Sequence, residues 1–125
     1  MFGETFMSAS LNVESDWNFR LLEKRLVTVK TKVESARKIA VSDVVTNLTF
    51  IVQVPEAIDM EMLKPDTEYL FNLKVYTSKN VDDVKDDLVN FFEAVDIDQS
   101  MDDFIRAYWA YPSKVRFELV EAEEP

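Results

Sequence analysis

Hydrophobic side chains change their spacing twice along this 125-residue chain, and no other feature limits the fold as strongly. They alternate with polar residues over 26–33, 48–54 and 69–75, as in strands with one buried face. They recur at helical spacing over 81–95 and alternate again over 115–120. Strands followed by a helical stretch and a final strand predict an α+β fold.

Shorter signals complete this assignment. A second short strand is predicted to begin at 39–41, and a helical turn is predicted around 60–63. Asn80 is the expected N-cap of the first helix. A second helix is predicted to start after Ser100 and to end before Pro112, because proline disfavours a helical residue in front of it.

The residue types that are missing exclude several classes of function. Without Cys or His, the chain has no disulfide, no thiolate metal site, no cysteine nucleophile and no imidazole base. A single Gly cannot supply a glycine-rich phosphate loop. The segment 96–100 begins like a calcium loop, but Met101 and Ala107 occupy the positions that require Gly and Glu. The composition therefore predicts a binding protein rather than an enzyme, with no metal and no cofactor.

Length and hydropathy predict one domain over 1–125. No apolar run reaches the roughly 20 residues of a membrane span. The segment 1–15 lacks the basic start and unbroken apolar stretch of a secretory signal, so a cytoplasmic location is expected. We expect 1–15 to be a flexible N-terminus and 121–125 to be a short acidic tail.

Charge is distributed unevenly along a chain whose formal net charge is −10. The segment 20–38 contains seven basic residues and two acids, whereas 82–103 contains nine acids and one Lys. An acidic protein thus has one locally basic stretch, on sequence that is predicted to form strand. A Debye length of about 10 Å at 0.1 M salt allows such a local surface to bind anions despite the net charge.

Aromatic residues lie beside these cations in the sequence. Trp17 and Phe19 directly precede the basic stretch, and Tyr76 shares strand parity with Lys74. Single-stranded nucleic acid is bound by such a combination, since bases stack on rings and phosphates pair with cations. The predicted nucleic-acid-binding residues are Trp17, Phe19, Lys24, Arg25, Lys30, Lys32, Arg37, Lys38, Lys74 and Tyr76. The alternative interpretation is that the lysines keep a strand edge soluble and the rings belong to the core.

The order of elements resembles that of small phage-encoded single-stranded-DNA-binding proteins of the OB-fold type. The matching elements are the barrel strands 26–33, 48–54 and 69–75, the inserted helix 81–95 and the closing strand 115–120. The resemblance implies an antiparallel OB-like five-stranded barrel with one or two helices inserted before the last strand. It also implies sequence-independent binding of single-stranded DNA in phage or bacterial replication or recombination, in the host cytoplasm. Replication proteins would bind the acidic C-terminus, while homodimerisation and the choice between DNA and RNA are left open.

A second hypothesis uses the acidic half of the chain. Carboxylates of 82–103 displayed on helices would imitate the phosphates of DNA and inhibit a host nuclease or another DNA-binding protein. A structural or assembly subunit is a third hypothesis without a positive sequence feature. A titration with oligo-dT separates them, because only a DNA-binding module would bind it, with an affinity that falls steeply with salt.

Overall fold

The computed structural model describes residues 16–93 and 99–125, which form five strands and two helices together with short 3-10 turns. In chain order these are β1 (Trp17–Val33), β2 (Lys38–Asp43), β3 (Thr49–Gln53), β4 (Glu68–Ser78), α1 (Asp86–Glu93), α2 (Met101–Ala110) and β5 (Val115–Glu123). The α+β prediction is confirmed, and both helices directly precede the last strand. The predicted flexible N-terminus over 1–15, the predicted helix end at 95 and positions 96–98 of the calcium-loop-like segment lie outside the described residues.

The five strands close into a ring in the order β1-β2-β3-β5-β4, with β4 pairing back onto β1. Four of the pairs are antiparallel, but β3 and β5 run parallel, with Val52 opposite Phe117 and Gln53 opposite Glu118. The prediction of a purely antiparallel sheet is therefore wrong at this pair. The reason is geometric, because an odd number of strands cannot alternate direction all the way round a closed ring.

Strand β1 is much longer than predicted and pairs with a different strand in each half, with β4 first and with β2 later. It begins at Trp17 instead of at 26, and it pairs with β4 through Thr28 and with β2 from Val27 onward. Two β-bulges, at Arg20 and at Lys30, interrupt its register. Each bulge adds one residue and bends the strand, which allows one strand to pair with both of its neighbours around the ring.

The bulge at Lys30 also reverses the faces of the residues that follow it. Val27 and Val29 are fully buried as the alternation predicts, but Val33 is 53% exposed. Lys32 pairs with Ile39, whose side chain is buried, so Lys32 lies on the inner face of the pair. A lysine that the sequence pattern predicts to be exposed is therefore half-buried on the inner face.

The core continues from the ring to the helices. The rings of Phe50 on β3 and Phe117 on β5 lie with their centroids 4.6 Å apart. Phe104 and Ile105 of α2 and Phe92 of α1 are buried in the same cluster. The helices and the sheet therefore share one core. Burial of each such side chain contributes about 1.5–3 kcal/mol to the free energy of folding.

The start of α2 agrees with the sequence. Ser100 is its N-cap, and its hydroxyl oxygen accepts a hydrogen bond from the Asp103 amide, while the Asp103 carboxylate accepts one from the Ser100 amide. This reciprocal capping box satisfies two amides that the helix itself cannot pair.

The start of α1 does not agree with the sequence, since the helix begins at Asp86 and Asn80 is not its N-cap. The Asn80 amide donates to the Ser78 hydroxyl, and the Asp83 carboxylate pairs with Lys114 at 2.9 Å. These contacts with β4 and with the turn before β5 hold residues 80–83 in a non-helical connection.

Candidate nucleic-acid interface

Two aromatic residues meet on the outer face where β1 pairs with β4. Phe19 and Tyr76 are register partners, and their ring centroids lie 5.9 Å apart in an edge-to-face arrangement. Tyr76 is only 8% exposed, whereas Phe19 is 56% exposed. Lys74 lies two residues before Tyr76 on β4 and therefore on the same face.

A shallow cavity of about 440 Å³ lies beside these rings, and we call it the β1–β4 cavity. Its lining residues come from the start of β1 and the end of β4, and they are Trp17, Asn18, Phe19, Lys74, Tyr76 and Lys79. All three predicted stacking residues and one predicted phosphate contact are thus brought together. Lys79 is not among the residues that the sequence predicted.

A second cavity, of about 400 Å³, lies against β2, β3 and the end of α2, and we call it the β2–β3 cavity. Lys38, Gln53, Tyr108 and Arg116 contribute polar groups to its lining. Trp17 lines this cavity as well as the β1–β4 cavity. The two cavities therefore adjoin at Trp17.

The joint surface of the two cavities combines rings and cations without a carboxylate. We call it the aromatic–basic surface, and its members are Trp17, Phe19, Tyr76, Tyr108, Lys38, Lys74, Lys79 and Arg116. Among the described residues, no Asp or Glu lines either cavity, although the chain has 24 acids. The nearest carboxylate on β5 is that of Glu118, which is the register partner of Lys74 and lies 3.6 Å from Arg116 without lining either cavity. The charged side chains that line the cavities are therefore all basic, although the net charge of the chain is negative.

Arg116 lines the β2–β3 cavity and has one buried donor without a partner. Its buried Nε–H finds no acceptor within 16–93 and 99–125, and its Nη2 lies 3.6 Å from the Glu118 carboxylate. A buried donor without a partner costs about 1–3 kcal/mol.

Arg25, predicted to contact phosphate, is instead the centre of an internal ion-pair network. Its Nη2 lies 2.7 Å from the Asp43 carboxylate and 2.7 Å from Asp102 at the start of α2, and its Nη1 lies 3.3 Å from Glu23. Burial alone would lower the pKa of Arg25, but the hydrogen bonds with Asp43 and Asp102 raise it above its ordinary value. This guanidinium joins β1 to α2 and is not part of the aromatic–basic surface.

Arg37 holds the connection between β3 and β4. Its guanidinium donates to the carbonyls of Val54 at 2.9 Å and Pro55 at 2.7 Å, and also to that of Ile58. Its backbone has a left-handed φ of 50°, which is unusual for a side chain of this size and is retained here by those three hydrogen bonds.

Lys32 holds the same connection, because its Nζ donates to the Met60 carbonyl at 3.0 Å. That carbonyl belongs to the 3-10 turn Met60–Met62, which confirms the predicted helical turn. Lys32 and Arg37 thus stabilise a loop, and neither lines the aromatic–basic surface.

The two remaining predicted cations also lie outside that surface. The Lys24 ammonium donates a hydrogen bond to the Glu123 carboxylate of β5 at 3.0 Å, and this bond raises the Lys24 pKa. Lys30 is exposed at the second bulge of β1. Glu123 itself belongs to β5, which continues three residues past its predicted end at 120, so part of the predicted acidic tail is strand.

Five of the ten predicted residues therefore line the two cavities, and three further members were missed. Arg116 has an outward-facing position in the alternation of 115–120, which was a usable signal. The sequence contains no signal for Lys79 and Tyr108. Their places in the aromatic–basic surface depend on where β1 begins and on how α2 packs against β3 and β5.

Comparisons of this chain with protein-family models, with curated proteins and with solved structures find no match in any of the three. Within the part of the chain that the structure describes, no helix is long and apolar enough to cross a membrane. Over the same residues, no group of three or more metal-ligating side chains is found.

Proposed function

We propose that this protein binds single-stranded DNA without sequence preference, through the aromatic–basic surface. The observation that carries the proposal is that two adjoining cavities sharing Trp17 offer rings and cations without a carboxylate, on a protein of net charge −10. Stacking tolerates every base because every base has a π-face, and it contributes about 1–3 kcal/mol per base.

The strand order supports an OB-like interpretation of the ring. OB folds are five-stranded Greek-key barrels that bind oligonucleotides on the face of their second and third strands. Residues of those strands line the β2–β3 cavity here, including Lys38 of β2 and Gln53 of β3, together with Arg116 of β5. A DNA strand running from this cavity across Trp17 to Phe19 would meet cations on both sides.

The biological role that follows is protection or handling of single-stranded DNA during phage or bacterial replication or recombination, in the host cytoplasm. This part of the proposal rests on the order of elements along the chain, which resembles that of phage-encoded proteins with this activity.

The test is a fluorescence titration with oligo-dT at two salt concentrations. Trp109 is 57% exposed and lines neither cavity, so a Trp109→Phe background leaves Trp17 as the reporter. We expect quenching on binding. The slope of log K against log salt should be about −3, since four cations face the ligand and each phosphate contact on a single strand contributes about −0.7.

A charge-matched pair of variants locates the site. Lys74→Glu with Lys79→Glu should weaken binding roughly tenfold or more, because two phosphate attractions become repulsions. Lys64→Glu with Lys85→Glu changes the net charge equally at exposed positions outside both cavities, and it should leave the affinity nearly unchanged. Equal losses in the two pairs, or no quenching in the parent protein, would refute the proposed site.

The DNA-mimic hypothesis draws less support from the structure. Three carboxylates of the acidic segment have internal partners: Asp83 pairs with Lys114, Asp102 with Arg25, and Asp103 caps α2. Their positions are set by these contacts and not by a spacing that imitates phosphates. Absence of oligo-dT binding together with a tight complex with a basic DNA-binding protein would favour the DNA-mimic hypothesis instead.

A further inference from the structure

A cavity more than twice as large as either part of the aromatic–basic surface lies elsewhere among the described residues. It has a volume of about 1070 Å³ and lies between the β3–β4 connection and the last residues of β5, and we call it the β5 groove. Its apolar lining includes Ile58 and Met62 of the connection and Val120 and Ala122 of β5. Met62 is 69% exposed and Val120 is 41% exposed, so two large apolar side chains are open to solvent there.

One edge of β5 is open in this groove. On one side β5 pairs with β4 as far as Glu123. On the other side it pairs with β3 only at Phe117 and Glu118, because β3 ends at Gln53. Within the described residues, β5 has no register partner on this side after Glu118, so the edge is open from Val120 to Glu123. Unpaired amides and carbonyls at a strand edge are a template for another strand.

The wall of the groove opposite β5 is held in place by side chains already described. Tyr69 donates its hydroxyl to the Met62 carbonyl at 2.9 Å and accepts the Lys64 amide at 2.9 Å. Arg37 and Lys32 fix the preceding residues of the same connection through backbone carbonyls. A site that is largely formed before binding loses little conformational entropy when a ligand enters.

The charged side chains of the β5 groove favour a basic ligand. The acids Asp59, Glu68, Glu121 and Glu124 line the groove, against one base, Lys64. A second copy of this chain pairing through its own β5 would bring Glu121 and Glu124 against like charges, which is unfavourable. A strand with basic residues between apolar ones meets opposite charges instead.

From these observations we propose that the β5 groove binds an extended, basic segment of a partner protein, which adds as a strand to the open edge of β5. Main-chain hydrogen bonds with 120–123 supply affinity, while the apolar lining and the acids select the sequence. This site shares no residue with the aromatic–basic surface.

The probe is a capped six-residue peptide of alternating valine and arginine, added to the full chain labelled with ¹⁵N. We expect saturable binding with amide shift changes centred on 120–123. Two control peptides carry glutamate in place of arginine, or N-methyl groups at alternate residues. The first removes the charge match and the second removes the edge hydrogen bonds, and both should abolish saturation.

Matched variants assign the site. Glu121→Lys with Glu124→Lys should weaken binding of the peptide roughly tenfold, since two exposed attractions between opposite charges become repulsions. Asp82→Lys with Asp86→Lys gives the same change of net charge outside the groove and should have little effect. Val120→Asn should weaken binding severalfold, whereas Val45→Asn at another exposed valine should not.

Equal binding of the N-methylated peptide, or shift changes confined to the helices, would overturn strand addition. Oligo-dT titration of the Val120→Asn variant separates this proposal from the proposed function, because loss of peptide binding with intact DNA binding is expected only if the two sites are independent.

Discussion

The buried carboxylate of Asp43 makes the strongest single prediction about stability. Asp43 is fully buried at the end of β2, and one of its oxygens accepts the Arg25 guanidinium while the other accepts the amides of Val45 and Thr46 at 2.8 and 2.9 Å. Asp43→Ala therefore removes the main partner of a guanidinium that is only 15% exposed, together with the side-chain acceptor of the β2–β3 turn.

The expected loss can be estimated from these contacts. Breaking a buried ion pair from one side costs about 3–5 kcal/mol, because the other charge is left without compensation. Arg25 keeps Asp102 and Glu23, which reduces that cost, while the two lost amide bonds add about 0.5–1.5 kcal/mol each. We expect Asp43→Ala to lower the free energy of unfolding by about 4 kcal/mol, a large share of the roughly 5–15 kcal/mol of a typical domain.

Urea denaturation followed by circular dichroism measures this loss. Asp43→Asn retains an oxygen for the two turn amides and loses only the charge opposite Arg25, so its cost should be about half as large. Asp59→Ala is the control, since that exposed carboxylate accepts one amide of a 3-10 turn and its loss should cost about 1 kcal/mol. If Asp43→Ala costs no more than Asp59→Ala, the network does not stabilise the fold.

Three further predictions concern single side chains. Arg37→Ala should lower the free energy of unfolding by about 2–3 kcal/mol through three lost carbonyl contacts, while oligo-dT affinity stays unchanged. Phe19→Ala should reduce oligo-dT affinity roughly tenfold in the same titration, because stacking is lost, with little change in the denaturation midpoint. The hydrogen bond from Lys114 lowers the Asp83 pKa, so this pair stabilises the fold above the unfolded pKa and the contribution disappears as the pH falls through the lower folded pKa. As the pH is lowered below about 4, the free energy of unfolding of Asp83→Asn should accordingly fall less than that of the parent protein. Denaturation at several pH values measures both changes.

The strand alternation and the Ser100 cap were readable because each depends on residues that are neighbours in the chain. The N-terminal half of β1 was not, since its bulge at Arg20 shifts the alternation by one residue. The same effect at Lys30 turns Lys32 to the inner face, although the sequence pattern alone predicts that this lysine is exposed.

The positions of the basic side chains were predictable only where they depend on residues that are close in the sequence. Arg25 shares strand parity with the buried Val27 and Val29, so its inward direction and its need for a carboxylate partner could have been inferred. Lys74 and Lys79 lie outside the basic stretch, and only the pairing of β4 with the start of β1 brings them beside Trp17. A basic stretch in sequence and a basic surface in space are therefore different objects in this protein.

That difference determines how salt should act on DNA binding. The net charge of −10 repels DNA at long range, whereas the aromatic–basic surface attracts it only at contact. Added salt screens the repulsion during the encounter, so the association rate constant should stay constant or rise between 0.05 and 0.2 M salt, at Debye lengths on the order of 10 Å. Salt also weakens the phosphate contacts in the complex, so the whole loss of affinity should come from faster dissociation. Stopped-flow quenching of Trp17 measures both constants, and an association rate that falls steeply with salt would mean that DNA approaches a much larger positive surface than the two cavities provide.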